Sequence, residues 1–279
     1  MKTELYKIET LSNLHVGSGD TNFGVIDNLV QRDAISNLPN INSSSLKGAF
    51  REYFENMENS KNLVDYIFGP SNTDNNNHQT GAYSFFEASL LTRPVRSNKK
   101  LYFNATSTGV IKNLLETIEN LNIDFDEETK TTLEEFSNIQ VNNKQPLIFE
   151  NIKNVILEDY EAKYHNFDTS KLANFLGKDL ALFSDEDFKK LELPVIARNQ
   201  LENGESKNLW YEEIVPKKST FYFCIAKPTN LDEKDKKEKI EGFENRFNKE
   251  GSRIQFGANK SIGYGYSKVT KVSKWVKKE

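Results

Sequence analysis

The sequence predicts an α+β fold, and three observations support this. The segments 46–57 and 109–122 carry apolar residues at the i, i+3, i+4, i+7 spacing of a helix with one buried face. The closing glycines (Gly257, Gly263 and Gly265) do not match the G-x-G-x-x-G spacing of a dinucleotide-binding fold. The strand-like segments are interspersed irregularly with these helices, which favours α+β over a doubly wound sheet. The predicted strands are 3–11, 82–91, 146–157, 193–199 and 219–226.

Two polar loops separate the predicted strands and helix of the N-terminal half. After the first strand, residues 12–24 contain three glycines and are interpreted as a functional loop. Serines 43–45 are suitable N-caps for the helix that follows. Residues 70–81 form a polar loop, and residues 92–97 are expected to break the strand before them. The predicted buried face of the helix consists of Leu46, Ala49, Phe50, Tyr53, Phe54 and Met57.

The C-terminal half contains the strongest turn signal. Asn203-Gly204 lies between two strand-like segments and predicts a β-hairpin. Residues 124–138 are acidic and predict a solvated helix. Residues 231–250 carry mixed charges, which predicts a helix with an exposed face. A glycine- and tyrosine-rich loop at 254–266 precedes a final strand.

Composition limits the possible classes of function. The chain has 279 residues, 37% of them hydrophobic and 28% charged. We expect a single domain over 1–279, because no Pro- or Gly-rich linker divides the sequence. The absence of an apolar run of membrane-spanning length and of a signal-peptide core predicts a cytoplasmic protein without membrane contact. Cys224 is the single cysteine, which excludes an internal disulfide. A net charge of −4 restricts any polyanion site to a local basic patch.

The stretch from His15 to Gly48 is the most informative part of the sequence. Gly17 and its neighbours let the backbone approach a ligand, and the helix start near Lys47 offers free N–H groups to an anion. Asp27 follows a short apolar run. It could bind a divalent ion or position a hydroxyl that attacks a phosphodiester, or it could be an ordinary turn residue. This stretch therefore predicts a phosphate-rich ligand beside one acidic group.

Three other groups allow both a functional and a structural interpretation. His15 could contact RNA or assist acid–base chemistry, or it could order the glycine turn. Glu212 and Glu213 could assist Asp27 from a distant part of the chain, or they could be solvated. The closing loop with Lys260 could follow a single strand and stack a base on tyrosine, or it could form a tight turn.

Taken in order, the motifs resemble one family. They are LHVGSG, GVID, VQRD and the serine-lysine-glycine helix start, followed by LLTRPVRS, LWYEEIVP and IQFGANKSIGYGY. This chain resembles the RAMP-superfamily backbone subunit of type III-B CRISPR effector complexes, the fourth Cmr subunit, over residues 3–272. The type III-A counterpart shares the general pattern, but TRPVRS and WYEE favour the type III-B version.

The resemblance implies a ferredoxin-like (RRM-type) core with insertions and a β-hairpin thumb at about 194–216. It implies partners: guide CRISPR RNA, target single-stranded RNA, further copies of the chain in a helical filament, and other Cmr subunits. It also implies target cleavage at regular intervals with Mg²⁺ or Mn²⁺. Asp27 would be the catalytic aspartate and metal ligand, assisted by His15 and Glu212. The RNA contacts would be Gly17, Ser18, Ser44, Ser45, Lys47, Arg51, Arg96, Asn259 and Lys260.

Two alternatives remain at this point. The chain could be a purely structural RNA-binding subunit in which cleavage is weak or absent. It could also be a stand-alone RNA-processing nuclease, which would require the isolated monomer to cut guide precursor.

Overall fold

A computed structural model describes residues 1–19, 24–57, 61–70, 80–247 and 251–272. The strands in this part of the chain are β1 (Lys2–Thr10), β2 (Asn40–Ile41), β3 (Ser84–Phe85), β4 (Ala88–Arg96), β5 (Tyr102–Ser107), β6 (Leu147–Ile148), β7 (Val155–Leu157), β8 (Tyr160–Tyr164), β9 (Leu180–Phe183), β10 (Val195–Glu202), β11 (Glu205–Glu213), β12 (Thr220–Lys227), β13 (Ser252–Gln255) and β14 (Tyr266–Lys271). The α-helices are α1 (Ser43–Glu55), α2 (Lys61–Phe68), α3 (Thr108–Asn120), α4 (Glu127–Ser137), α5 (Ala173–Leu176), α6 (Asp185–Lys190), α7 (Glu233–Asp235) and α8 (Gly242–Glu244).

One large, mostly antiparallel sheet organises the fold. Its order is β13-β14-β1-β12-β4-β5-β9-β6-β8-β7, with β2 on β4 and β3 on β12. The pairs β5–β9 and β6–β8 are parallel. Strands β10 and β11 form a separate two-stranded sheet. The predicted α+β class is confirmed.

The predicted amphipathic helix covers the centre of the sheet with aromatic side chains. Leu46, Phe50 and Phe54 of α1 are fully buried, as their spacing predicts. The Phe50 ring lies 5.6 Å from Phe223 of β12, centroid to centroid. The expected serine caps are wrong in position, because the N-cap is Asn42 and the serines occupy the first turn.

Several predicted elements are confirmed with small changes in their bounds. The segments 3–11, 109–122, 193–199 and 219–226 correspond to β1, α3, β10 and β12. The hairpin at Asn203-Gly204 is also present, with φ of 53° and 86° at its two turn residues. Positive φ at both positions is the requirement that selects Asn-Gly in such turns.

The predicted break at 92–97 is wrong, because β4 continues to Arg96. Thr92, Arg93 and Val95 are buried, and Pro94 lies opposite Asn104 in the β4–β5 ladder. The predicted strand at 146–157 is instead two short strands, β6 and β7. They pair with opposite edges of β8, β6 in parallel and β7 in antiparallel orientation.

The two charged segments differ in how far they match their predicted exposure. Helix α4 lies within the acidic segment 124–138, but Leu133 and Phe136 are fully buried. Residues 233–247 form α7, a π-helix (Lys236–Glu241), α8 and a 3₁₀ turn (Asn245–Phe247), and Phe243 and Phe247 are fully buried. The solvated helix predicted at 124–138 is therefore wrong, because one face of α4 is buried. The exposed face predicted for the second segment is present, since Glu238, Glu241 and Asn245 are exposed while the two phenylalanines are buried. Parts of the predicted loops at 12–24 and 70–81 lie outside the described residues.

No helix in the described ranges is long and apolar enough to cross a bilayer. Cys224 is buried within β12, and burial raises the pKa of its thiol to about 12.

Candidate nucleic-acid interface

The exposed carboxylate of Asp27 is attached to the hairpin formed by β10 and β11, which we call the thumb. The Tyr211 amide donates to Asp27 Oδ2 at 2.7 Å. The amides of Asp27 and Asn28 both donate to the Tyr211 carbonyl at 3.1 Å, and Asn28 accepts from the Glu213 amide at 2.9 Å. The loop containing Asp27 therefore lies along β11, and the position of its carboxylate depends on this strand.

His15 lies beneath the end of β11 and is only 5% exposed. Its Nδ1 is 2.7 Å from the carbonyl oxygen of Glu213. A carbonyl oxygen can only accept, so Nδ1 carries the proton and Nε2 is the unprotonated nitrogen in the neutral ring. A Cβ on Gly17 would lie 3.4 Å from Nε2. The ring therefore packs under the glycine loop, as its structural interpretation predicts.

The carboxylate of Glu212 is buried and receives hydrogen bonds from two parts of the chain. Its Oε2 accepts from Arg198 Nε at 2.7 Å, and its Oε1 accepts from Asn259 Nδ2 at 2.6 Å. His15 Nδ1 lies 3.6 Å from the same Oε1. The Arg198 guanidinium lies 4.6 Å above the centroid of the Tyr264 ring. We call His15, Arg198, Glu212 and Asn259 the thumb-root cluster.

Glu213, the next residue of β11, binds the chain segment that follows Asp27. Its Oε1 accepts from Arg32 Nη2 at 2.5 Å and its Oε2 from the Val30 amide at 3.1 Å. Because residues alternate along a strand, Glu212 and Glu213 contact different segments. Neither of them is the solvated residue that one interpretation expected.

The glycine-rich closing loop touches the first loop through main-chain contacts. Gly257 has φ of 72°, and a Cβ there would lie 2.2 Å from the His15 carbonyl oxygen. Ala258 donates its amide to that oxygen at 2.9 Å. Only glycine permits this approach. The two glycine loops, distant in sequence, therefore form one surface.

The start of α1 is suited to an anion. Asn42 makes no side-chain capping bond, and the first turn contains no acidic residue. Ser44 and Ser45 are exposed there. The Lys47 side chain pairs with no residue in the described part of the chain. Free N–H groups, the helix dipole and this cation all favour a phosphate.

The other predicted RNA-binding residues have partners. Ser18 donates its amide to Leu29 at 3.1 Å. Arg51 contacts Glu55 at 2.7 Å and the Gly69 carbonyl at 3.1 Å. Lys260 pairs with Glu52 of α1. Arg96 pairs with Glu158 at 2.6 Å at the far end of β4, so it lies apart from the other candidates in the sheet.

Residues that sequence reasoning missed hold the site together. The Tyr211 main chain, Arg198, Arg32 and Tyr264 make the contacts described above. The hairpin sequence alone does not reveal this contact, because a β-bulge between Gln200 and Leu201 shifts the register. Counting outward from Asn203-Gly204 pairs Arg198 with Leu209, whereas the structure pairs it with Trp210, diagonally beside Glu212.

A model of the RAMP superfamily matches residues 7–268. The chain belongs to the RAMP superfamily. This RAMP protein is 30% identical to the CRISPR system Cmr endoribonuclease Cmr4 of Pyrococcus furiosus, over 97% of this chain and 96% of the relative. The resemblance to the type III-B backbone subunit is thus confirmed.

Two solved structures are similar to this RAMP protein. Oligomeric Cmr4 from Pyrococcus furiosus has a TM-score of 0.74 and 25% identity, over 98% of this chain and all of that one. A chain of the type III-B Cmr-beta complex bound to cognate target RNA has a TM-score of 0.80 and 19% identity, over 98% of both chains. The second likeness shows the shared fold.

Proposed function

We propose that this RAMP protein is a guide-RNA-binding filament subunit of a type III-B CRISPR effector complex and that it cleaves guide-paired target RNA. The observation that carries the proposal is the exposed Asp27 carboxylate held by the thumb backbone. It occurs in a chain similar over nearly its whole length to a Cmr endoribonuclease. Its location would be the cytoplasm, with further copies of itself and other Cmr subunits as partners.

The sheet around β1, β12 and β4, covered by α1, would be a ferredoxin-like palm, and β10–β11 would be its thumb. On the thumb, Leu201 is 63% exposed and Leu209 is 53% exposed. Exposed apolar side chains can pack against the faces of unpaired bases. The thumb is therefore suited to insertion between guide and target strands.

The guide RNA would lie along the surface made by the start of α1 and the two glycine loops. Phosphate contacts fix position without reading sequence, and base edges in an A-form duplex are poorly accessible to side chains. Lys47 and the α1 amides would hold one phosphate, while Gly17 and Ser18 let the chain approach closely. Sequence specificity would come from base pairing with the guide.

The paired cations can also serve RNA. When RNA binds, each of these cations would release its glutamate partner and bind a phosphate instead; they are Arg51, Lys260 and Arg96. An exposed ion pair contributes about 0–1 kcal/mol, so the exchange costs little. Asn259 differs, because its amide is bound to buried Glu212, and only its remaining polar groups could reach RNA.

The chemistry proposed for Asp27 is attack of the target's own 2′-hydroxyl on the adjacent phosphorus. The P–O5′ bond breaks, which leaves a 2′,3′-cyclic phosphate on one fragment and a 5′-oxygen that takes a proton from water on the other. The carboxylate accepts the hydroxyl proton or orients the hydroxyl, a role that contributes about 10²–10⁴-fold. The Tyr211 amide holds Oδ2, which leaves Oδ1 directed to substrate. His15 and Glu212 act indirectly by holding β11, since both are buried and neither hydrogen-bonds to the Asp27 side chain.

The residues suit a divalent ion only in part. No group of three or more His, Cys, Asp or Glu side chains in the described ranges could hold a metal. Mg²⁺ commonly uses one or two carboxylates and completes its shell with waters and substrate phosphates. Asp27 would therefore hold Mg²⁺ or Mn²⁺ together with the RNA. When bound, the ion would offset negative charge on the reacting phosphate.

Cleavage by an assembled complex containing Asp27→Asn tests the proposal. The amide keeps an oxygen for the Tyr211 N–H but loses the basic carboxylate. We expect cleavage to fall by about 100-fold or more, with unchanged guide and target affinity. Gel analysis of target fragments measures the rate.

Asp33→Asn is the matched control, because the partners of the Asp33 carboxylate in the described part of the chain belong to its own turn, residues 34–36. It should cut as the wild type does. Unchanged cleavage by Asp27→Asn would remove Asp27 from the chemistry. No cleavage by the wild type with Mg²⁺ or Mn²⁺ would leave the purely structural subunit as the function.

A further inference from the structure

Arg93 is a buried cation near the start of the thumb that makes no ion pair with any described residue. It lies in β4 opposite Ala105 and is 6% exposed. Its Nη1 donates to the Leu191 carbonyl at 2.8 Å, and its Nη2 donates to the Glu192 carbonyl at 2.6 Å. Its Nε is buried and has no hydrogen-bond partner among the described residues. Only the two terminal nitrogens of the guanidinium therefore bind main-chain oxygens.

This arrangement is costly for stability alone. Removing a charged guanidinium from water costs several kcal/mol, and an apolar side chain of similar volume is often at least as stable. Burial lowers the pKa of Arg93 to about 10, although the charges of Glu158 and Glu213 act in the opposite direction; Arg32 adds to the lowering. A buried cation of this kind therefore indicates a role in fixing the position of the main chain that it binds, here at Leu191 and Glu192.

The two carbonyls belong to the segment that leads into the thumb. Helix α6 ends at Lys190 and β10 begins at Val195. Leu191 and Glu192 are therefore the first two residues of the segment that connects this helix to the thumb. At the base of the thumb, its two ends are joined by a hydrogen bond from the Ile214 amide to the Pro194 carbonyl at 2.9 Å. Arg93 thus attaches the segment that leads into the first thumb strand to β4 of the palm.

The second thumb strand is attached elsewhere. Tyr211 of β11 bonds to the loop of Asp27, and Glu213 bonds to Arg32. The hairpin connects these two attachments. If the first strand moves relative to the palm, the Tyr211 amide moves with it, and the Asp27 carboxylate loses its donor.

We propose that Arg93 is a positioning residue that sets the orientation of the thumb and, through Tyr211, the placement of the Asp27 carboxylate. The link to cleavage rests on the proposed function, whereas the link to the thumb does not. A purely structural role would instead stabilise the whole sheet.

Hydrogen exchange on the free chain tests the first link. Arg93→Met removes both donors but keeps an unbranched side chain of similar length. We expect the Ile214 and Tyr211 amides to exchange at least about tenfold faster, while the amides of β12 are unchanged. Arg93→Lys keeps one charged donor and should give an intermediate rate.

Lys190→Met is the matched control. It removes a cation directly before Leu191, but this lysine is exposed and its one ion pair within the described ranges is with Glu186 of its own helix. It should exchange as the wild type does. Wild-type exchange at Ile214 and Tyr211 in Arg93→Met would overturn the proposal, as would a uniform increase that includes β12.

Target cleavage by the assembled complex tests the second link. Arg93→Met should cut about tenfold more slowly with unchanged affinity for guide and target, and Arg93→Lys should recover part of the rate. Normal cleavage despite loosened thumb amides would overturn the link to Asp27. If the wild type does not cut, the proposed function fails, and the exchange result alone still decides whether Arg93 holds the thumb.

Discussion

Two buried charged clusters at different places on the sheet serve different purposes. The first is the thumb-root cluster. The second, which we call the strand-end cluster, consists of Glu4, Lys227, Glu244 and Lys271. Lys227 pairs with Glu4 and with Glu244, the latter at 2.6 Å. Lys271 pairs with the same two carboxylates at 2.8 and 2.6 Å.

The clusters differ in how completely their charges are satisfied. The strand-end cluster alternates two acids and two bases and joins β1, β12, β14 and α8. In the thumb-root cluster, Arg198 Nη2 is buried without a hydrogen-bond partner among the described residues. That cluster connects two loops with both thumb strands, next to the exposed Asp27. Incomplete satisfaction is typical of functional sites, whereas a closed network serves the fold.

Lys227→Met should produce the largest loss of stability. It leaves the buried Glu4 and the half-buried Glu244 with Lys271 as their shared partner, and the exposed Lys2 is the one further cation that Glu4 keeps among the described residues. We expect the free energy of unfolding to fall by about 3–5 kcal/mol. Urea denaturation measures it. Lys218→Met is the control, because Lys218 is half-exposed and, of the residues that the structure describes, pairs with Glu9 alone. A loss below 1 kcal/mol would mean that the cluster is not a stabilising unit.

Acid should weaken the strand-end cluster to a smaller extent. Burial raises the pKa of Glu4, but Lys227 and Lys271 outweigh it and lower the pKa to about 2. A lowered pKa stabilises the fold above the unfolded value of about 4.5, and this contribution is lost as the pH falls towards 2. We expect Glu4→Gln to remove about 2 kcal/mol of the acid dependence of unfolding. The prediction would be contradicted if the free energy of unfolding fell equally in the wild type and in Glu4→Gln between pH 5 and pH 3.

Arg198→Met should have the smallest effect on stability but a clear effect on cleavage. Glu212 keeps its bond from Asn259, so the loss in unfolding free energy should be about 1–2 kcal/mol. Loosening β11 beside Asp27 should slow cleavage about tenfold. Lys207→Met, on the exposed part of the thumb, is the control. If Arg198→Met destabilises as strongly as Lys227→Met and cuts normally, the distinction between the clusters is wrong.

Local patterns predicted the elements that form through local physics. The spacing of Leu46, Phe50 and Phe54 predicted α1 and its buried face, because a helix repeats every 3.6 residues. Asn203-Gly204 predicted the thumb turn through its backbone preferences. Burial of charged segments was not predictable in this way. Phe243 and Phe247 enter the core because the sheet leaves a space for them, which no local window contains.

The sequence by itself determined the α+β class, the thumb hairpin, the glycine loops and the family resemblance, since these depend on short-range spacing and motif order. Tertiary structure decided which polar residues meet. Glu212 reaches Asn259, Arg93 reaches Leu191, and Tyr211 reaches Asp27 only when distant segments are packed together. Hydrogen bonds require positions within about 3 Å, and the folded backbone alone sets positions at that scale.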